Sequence, residues 1–186
     1  MSTATIARVQ DLTGTYTLDP SHSRIGFVAR HAMIAKVRGA FNEVSGTATI
    51  DGANPSASSL EVTIQAGSVD TRDANRDGHL TSPDFFDVAT YPTITFVATG
   101  FEVTGDDTVE VTGNLTIKDV TKPVTVPFEF GGAATDPFGN HRIGFEGQVS
   151  VNRKDWGLTW NAALETGGVL VSDKVTLEFE VSAVQA

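Results

Sequence analysis

The sequence predicts an all-β protein: one domain built from an antiparallel sheet of about eight to ten strands, packed as a sandwich or closed into a barrel. Three observations predict it. Apolar and polar residues alternate with a period of two along much of the chain. Turn residues interrupt the alternating runs at short intervals. Only two short stretches look helical. A period of two gives each strand one wet and one dry face, and such strands belong to antiparallel sheets, because parallel strands are usually dry on both sides.

In chain order, the N-terminal "MSTATIARVQDLTG" lacks the basic start and apolar core of a secretory signal. Residues 1–14 read as a flexible tail, and 15–186 as the barrel domain of a cytoplasmic protein. "RHAMIAKV" is the first stretch with a helical look, although it has no full amphipathic stripe. In "LEVTIQA", Leu60, Val62, Ile64 and Ala66 fall on one face, with Glu61, Thr63 and Gln65 on the other. "DANRDGHLTSPDFFD" offers a second short helix amid turn residues. "YPTITFVA", "VEVTGNLTIK" and "VTVPFEF" alternate again, and "VTLEFEV" sets Val175, Leu177, Phe179 and Val181 against Thr176, Glu178 and Glu180. "DGANP", "TGDD", Gly131–Gly132, "DPFGN" and the glycines from Gly167 punctuate these runs.

The dry faces carry large apolar residues: Phe27, Ile64, Ile94, Phe96, Phe128, Phe145 and Phe179. They either fill the interior or surround a guest, since an eight-stranded barrel can enclose one small ligand. Apolar residues make up 40 % of the 186, which is ordinary for a globular chain. Lys plus Arg number 13 against 23 Asp plus Glu, a formal net charge of −10, which opposes non-specific binding to nucleic acid or to an anionic membrane. No apolar run approaches a membrane span. The absence of cysteine excludes disulfides, thiolate metal sites and cysteine nucleophiles.

Residues 73–84, "DANRDGHLTSPD", match a calcium-loop spacing, with Asp73, Asn75 and Asp77 at alternate positions, then Gly78, Leu80 and Asp84. An EF-hand needs a helix on each side. The preceding segment alternates like a strand, and Pro83 interrupts the following one. The stretch therefore reads as an Asp/Asn-rich turn whose side chains cap backbone N–H groups, and no metal site is expected.

Here the residues carry a family resemblance. "RDGHLTSPDFFDVATYPTITF" resembles the signature of the YceI-like family of lipid-binding proteins. "YTLDPSHSRIGFVARHAMIAKVRGAFNEVSGT", "GNLTIKDVTKPVTV" and "VNRKDWGLTW" resemble the family's opening, central and late segments, in order, from about Tyr16 to about Val181. The resemblance implies a lipocalin-like antiparallel barrel of eight strands, with a long apolar cavity for polyisoprenoid or similar long-chain lipids and no catalytic group. It further implies that Leu80, Phe85 and Phe86 plug one end of the barrel. Many family members are exported, whereas this chain shows no signal.

Other chemistry is sparse. His22, His31, His79 and His141 fall in separate segments without zinc spacing. His31 shares strand parity with Phe27 and Ala29 and is expected inward, near a barrel end. Arg24, Arg30, Lys36 and Arg38 form a basic contrast that would suit a lipid diphosphate. Arg24 and Arg30 have outward parity, while Lys36 and Arg38 suit a rim. "NRKDWG" reads as a tight turn with Asn152 or Asp155 capping, Trp156 packing on the barrel end and Gly157 at a special backbone angle. No G-x-S-x-G elbow is present.

The favoured function is binding, sequestration or transport of a long-chain apolar lipid, by a protein that is not an enzyme. The lipid would be a polyisoprenoid, an isoprenoid quinone or a fatty amide. The expected ligand-binding residues are Phe27, His31, Ile64, Phe85, Phe86, Ile94, Phe96, Phe128 and Trp156. No cofactor is expected beyond a bound isoprenoid lipid, and a homodimer is left open. The alternative is a quinone- or haem-dependent redox accessory using the same cavity, with His31 or His79 as the proximal ligand of a haem.

Overall fold

Each alternating strand presents backbone N–H and C=O groups that need partners on both sides, and only a closed sheet leaves no edge. The computed structural model describes residues 8–186, and eight of its strands close in this way. In chain order the strands are β1 Gly14–Leu18, β2 Arg24–His31, β3 Ala35–Phe41, β4 Val44–Ile50, β5 Ser59–Gln65, β6 Val69–Asp70, β7 Thr93–Val103, β8 Thr108–Ile117, β9 Val120–Thr135, β10 His141–Asn152 and β11 Lys174–Gln185, of which β2, β3 and β6 extend the sheet from β11. One α-helix among the described residues, α1 Ala74–Thr81, stands between β6 and β7. It is far too short to cross a membrane, and no described helix is long and apolar enough to do so.

The ring runs β1–β4–β5–β7–β8–β9–β10–β11 and back to β1, antiparallel throughout. It is the closed eight-stranded antiparallel barrel that the resemblance implies, and one of the two architectures that the alternation allows. The first two staves are each broken in the middle. β1 pairs with β11 from Tyr16↔Gln185 to Leu18↔Ala183, and β2 resumes beside the same strand from Arg24↔Glu180 to Val28↔Thr176. Opposite them, β4 pairs with β1 and β3 pairs with β2. β1–β2 and β3–β4 are thus two kinked halves of one long hairpin. At the kink, Asp19 caps a 3-10 turn by accepting from Ser21 N–H. The Ser23 hydroxyl donates to Ser182 O and accepts from Ser182 N–H, taking the place of the interrupted ladder.

Two expectations are corrected. Residues 30–37 are not helical. Arg30↔Lys36 and His31↔Ala35 pair across a hairpin whose turn residues, Ala32 and Met33, have φ of 50° and 64°. Cross-strand pairing overrides a weak local helical pattern. The flexible tail expected over 1–14 does not hold for its last residues. Val9–Asp11 form a 3-10 turn across one barrel end, with Val9 and Leu12 buried and Val9 N–H bonded to Asp106 O. Residues 1–7 lie outside the described residues.

The dry faces converge inside the ring. Ile64, Ile94, Leu115, Val124 and Val126 centre one cluster, and Tyr16, Val109, Val111, Phe130 and Ile143 the other, towards the N-terminal plug.

Candidate functional site

The interior is hollow. An apolar cavity of about 310 Å³ runs between the N-terminal plug, at Val9, Gly52 and Pro55, and the helix end, at Leu80, Phe85 and Leu158. The volume sits at the lower end of the usual range for ligand pockets, about 300–1,000 Å³. Inward positions of every stave line it: Ile25, Phe27 and Ala29 on β2, Val62 and Ile64 on β5, Ile94 and Phe96 on β7, Leu177, Phe179 and Val181 on β11. Phe27, Phe41, Phe86, Phe96, Phe128, Phe145 and Phe179 all line it and are only half-buried, because each ring faces open space on one side.

A repeated pairing keeps the space clear. Phe27 stands opposite Gly39, and Phe128 opposite Gly147. Phe96 reaches Gly113 on the neighbouring strand. A Cβ at Gly39 would lie 2.8 Å from Cε1 of Phe27, and one at Gly113 would lie 2.8 Å from both Cε carbons of Phe96. Each ring lies flat over a glycine and along the wall, so the missing side chain on one strand makes room for a large one on the next.

The helix end is built from the stretch with the calcium spacing. Asp73 is the N-cap of α1, its carboxylate accepting from Arg76 N–H at 3.0 Å. Asp77 Oδ1 accepts from the backbone N–H and the hydroxyl of Thr71, and Arg76 donates to Thr71 Oγ1 and O. His79 Nε2 pairs with Asp84 Oδ2 at 2.9 Å, and the His79 ring stacks edge-on against Phe85 and Trp160. These carboxylates fold the chain back sharply, and the turn drives Leu80, Phe85 and Phe86 up into the cavity wall. Phe86 meets Phe41 edge-on, with centroids 5.7 Å apart.

Of the residues expected to bind a ligand, Phe27, Ile64, Phe85, Phe86, Ile94, Phe96 and Phe128 lie in the cavity wall. Two do not. His31 is exposed, because β2 runs past the rim and the inward parity of Phe27 and Ala29 leads beyond it into solvent. Trp156 is only 3 % exposed but sits within the wall, its indole N–H donating to Leu115 O at 2.9 Å. The turn that carries it is capped by Asn152 and ends at Gly157 with φ 78°. His79 also stands outside the lining, so among the described residues neither candidate haem ligand reaches the cavity.

Sequence reasoning missed Phe41 and Arg153. The parity of "VRGAF" opposite β2 would have found Phe41. Arg153 is 5 % exposed and lines the cavity at the helix end. It donates to the carbonyls of Leu158, Val171 and Ser172, tying the closing loop to the barrel. Burial lowers its pKa, with Asp173, 3.9 Å away, opposing the shift. Of the basic cluster, Arg24 lies on the outer face, donating to Glu178 at 3.3 Å and to Gly39 O, and Arg38 pairs with the same carboxylate at 3.7 Å.

A closed antiparallel barrel around an apolar lumen, plugged at one end by the N-terminal segment and at the other by a short helix and its turn, defines a lipocalin-like barrel. The YceI-like domain model matches residues 16–183, and the chain belongs to that family. A UPF0312 protein of Azotobacter vinelandii is 38 % identical over 160 residues, covering 85 % of this chain and 83 % of that protein. A Pseudomonas aeruginosa UPF0312 protein is 42 % identical over 151 residues, covering 80 % and 78 %. Among solved structures, BcnA of Burkholderia cenocepacia superposes with a TM-score of 0.78 at 27 % identity, over 89 % of this chain and 98 % of that one. A polyisoprenoid-binding domain from Saccharophagus degradans superposes with a TM-score of 0.70 at 19 % identity, over 92 % and 98 %, a likeness of fold.

Proposed function

We propose that this chain binds a long-chain apolar lipid in its barrel, a polyisoprenoid, an isoprenoid quinone or a fatty amide, and holds or carries it without catalysing a reaction on it. The hollow lumen with half-buried phenylalanines on all sides carries the reading. A wall of this kind offers dispersion contacts to a hydrocarbon chain and few partners to a polar solute. Each methylene moved from water into it contributes about 0.8 kcal/mol, so affinity rises about fourfold per carbon until the chain outgrows the cavity. The polyisoprenoid-binding protein of the same fold supports the choice of chain.

The test is a titration series of fluorescent prenyl and acyl analogues of increasing length, followed by organic extraction and mass spectrometry of protein purified without detergent. The proposal expects affinity to climb with chain length and then level off, with a lipid in the extract. A protein that extracts empty and binds no apolar probe of any length overturns it.

A further inference from the structure

A lipid that occupies the barrel is too insoluble to arrive through water, so the molecule needs a surface that meets its source. The β2–β3 hairpin projects past the rim at the helix end. Its turn exposes two adjacent apolar side chains, Met33 at 62 % and Ile34 at 81 %. The neighbouring loop packs beside it: Ala32 N–H donates to Leu170 O at 2.7 Å, Met33 lies against Gly168, and Val169 is exposed next to them. Nothing in the fold requires Ile34 at such a tip, where a polar turn residue would serve.

The charge around this tip is opposite to that of the whole. Between Asp19 and Glu43 the chain holds four basic residues, Arg24, Arg30, Lys36 and Arg38, and no acidic one, in a protein of net charge −10. Arg24 and Arg38 share Glu178. Arg30 and Lys36 face each other across the hairpin just behind the apolar tip and make no ion pair among the described residues. Arg30 donates to Ile34 O at 3.2 Å, which holds its guanidinium beside the turn. The adjoining loop, residues 157–173, brings two acidic residues, Glu165 and Asp173, and Asp173 is engaged by Lys154 at 3.3 Å and Arg153 at 3.9 Å. An exposed aliphatic pair ahead of two unpaired cations is the composition that enters the headgroup boundary of an anionic bilayer.

We propose that the β2–β3 tip docks on an anionic lipid bilayer, with Met33 and Ile34 entering the acyl boundary and Arg30 and Lys36 meeting the headgroup phosphates. The rest of the acidic surface is repelled by the same membrane, so the tip sets one orientation. His31, at the base of the turn, bridges to Val171, and Val171 and Ala29 belong to the cavity wall, so docking brings the helix end of the lumen to the bilayer. The proposal rests on the lipid-binding reading for its purpose, but not for its measurement.

The experiment is flotation of the detergent-free protein with vesicles of phosphatidylcholine alone and of equal parts phosphatidylglycerol and phosphatidylcholine. The expected result is binding to the anionic vesicles only, weakening as salt is raised. Ile34→Ser, which removes the inserted side chain, is expected to weaken binding about tenfold. Lys36→Glu, a change of two charge units at about fivefold each, is expected to weaken it about twenty-fivefold. Neither residue lines the cavity, so both variants are expected to bind a soluble fluorescent prenyl probe as the wild type does. A wild type that stays with the soluble fraction overturns the proposal, as do variants that float like the wild type. So does an Ile34→Ser variant that turns a sedimenting dimer into a monomer while the wild type ignores vesicles, since the tip is then an interface between two copies. Loss of probe binding in the wild type with vesicle binding intact counts against the lipid cavity, not against docking.

Discussion

Gly113→Ala tests whether the lumen is a binding space. The added Cβ would lie 2.8 Å from Cε1 and Cε2 of Phe96. Carbon atoms settle at about 3.5–4.0 Å, so the ring has to retreat by about 1 Å. In a filled core that displacement is overpacking and costs about 1–3 kcal/mol, which lowers Tm by about 2–4 °C per kcal/mol in a domain of this size. Here the neighbours are the far end of one side chain, and on its other face lies a cavity of about 310 Å³. The ring can swing inward, and the loss of glycine's unfolded-state freedom offsets part of the residual strain. Tm is therefore expected to change by less than about 2 °C. The ring now occupies ligand space. Displacing two chain methylenes, at about 0.8 kcal/mol each, weakens binding about fifteenfold. Melting curves and titration with a fluorescent polyprenyl analogue read the two quantities separately. Gly147→Ala is the control: its Cβ would meet the Pro127 backbone carbonyl oxygen at 2.8 Å, which cannot swing aside, so that variant loses stability whether the barrel is hollow or not. A Gly113→Ala protein that melts several degrees lower and binds the probe unchanged would refute the argument.

Phe96→Asp places a carboxylate in the apolar lumen, and the protein is expected to lose several kcal/mol of stability at neutral pH and to regain part of it in acid as the group is protonated, as read by denaturant titration at two pH values. Phe86→Ala is expected to cost less than the about 3–5 kcal/mol of a filled-core Phe→Ala change, because its ring faces the cavity, and to speed probe release about tenfold in stopped-flow displacement. The Arg142 guanidinium bonds Asp19 and Asp136 and holds both carboxyl groups well below the usual carboxylate range. Their stabilisation is present above about pH 4 and is lost as pH falls through the lowered values, so Arg142→Met is expected to move the acid-unfolding midpoint, followed by circular dichroism, to higher pH. Asp73→Ala removes the α1 N-cap and is expected to cost about 1 kcal/mol in a melt, with added calcium shifting the Tm of neither protein.

The alternation by itself determined an antiparallel sheet and most of its inner face but left sandwich and barrel open, and the resemblance supplied the closed barrel. Strand parity is a local property: once Ile64 points inward, so do Val62 and Leu60, and the seven inner-face residues named from alternation all line the cavity. The motifs from Tyr16 to Val181 added the family and the apolar plug. Tertiary structure alone decided where a strand stops belonging to the barrel. His31 has the right parity, but β2 has already passed the rim there, and only the extent of its pairing with β11, which ends at Val28↔Thr176, reveals it. The same holds for Arg30–Val37, where a cross-strand partner outweighs a faint helical pattern. Trp156 was legible as a packing residue, but whether its ring faces the lumen or the wall depends on the Leu115 carbonyl of another strand. The hollow was implied by the resemblance but was not legible in the alternation. A row of phenylalanines fills a barrel or lines one according to what faces it, and here the facing residues are glycines on the next strand, brought beneath the rings by strand register.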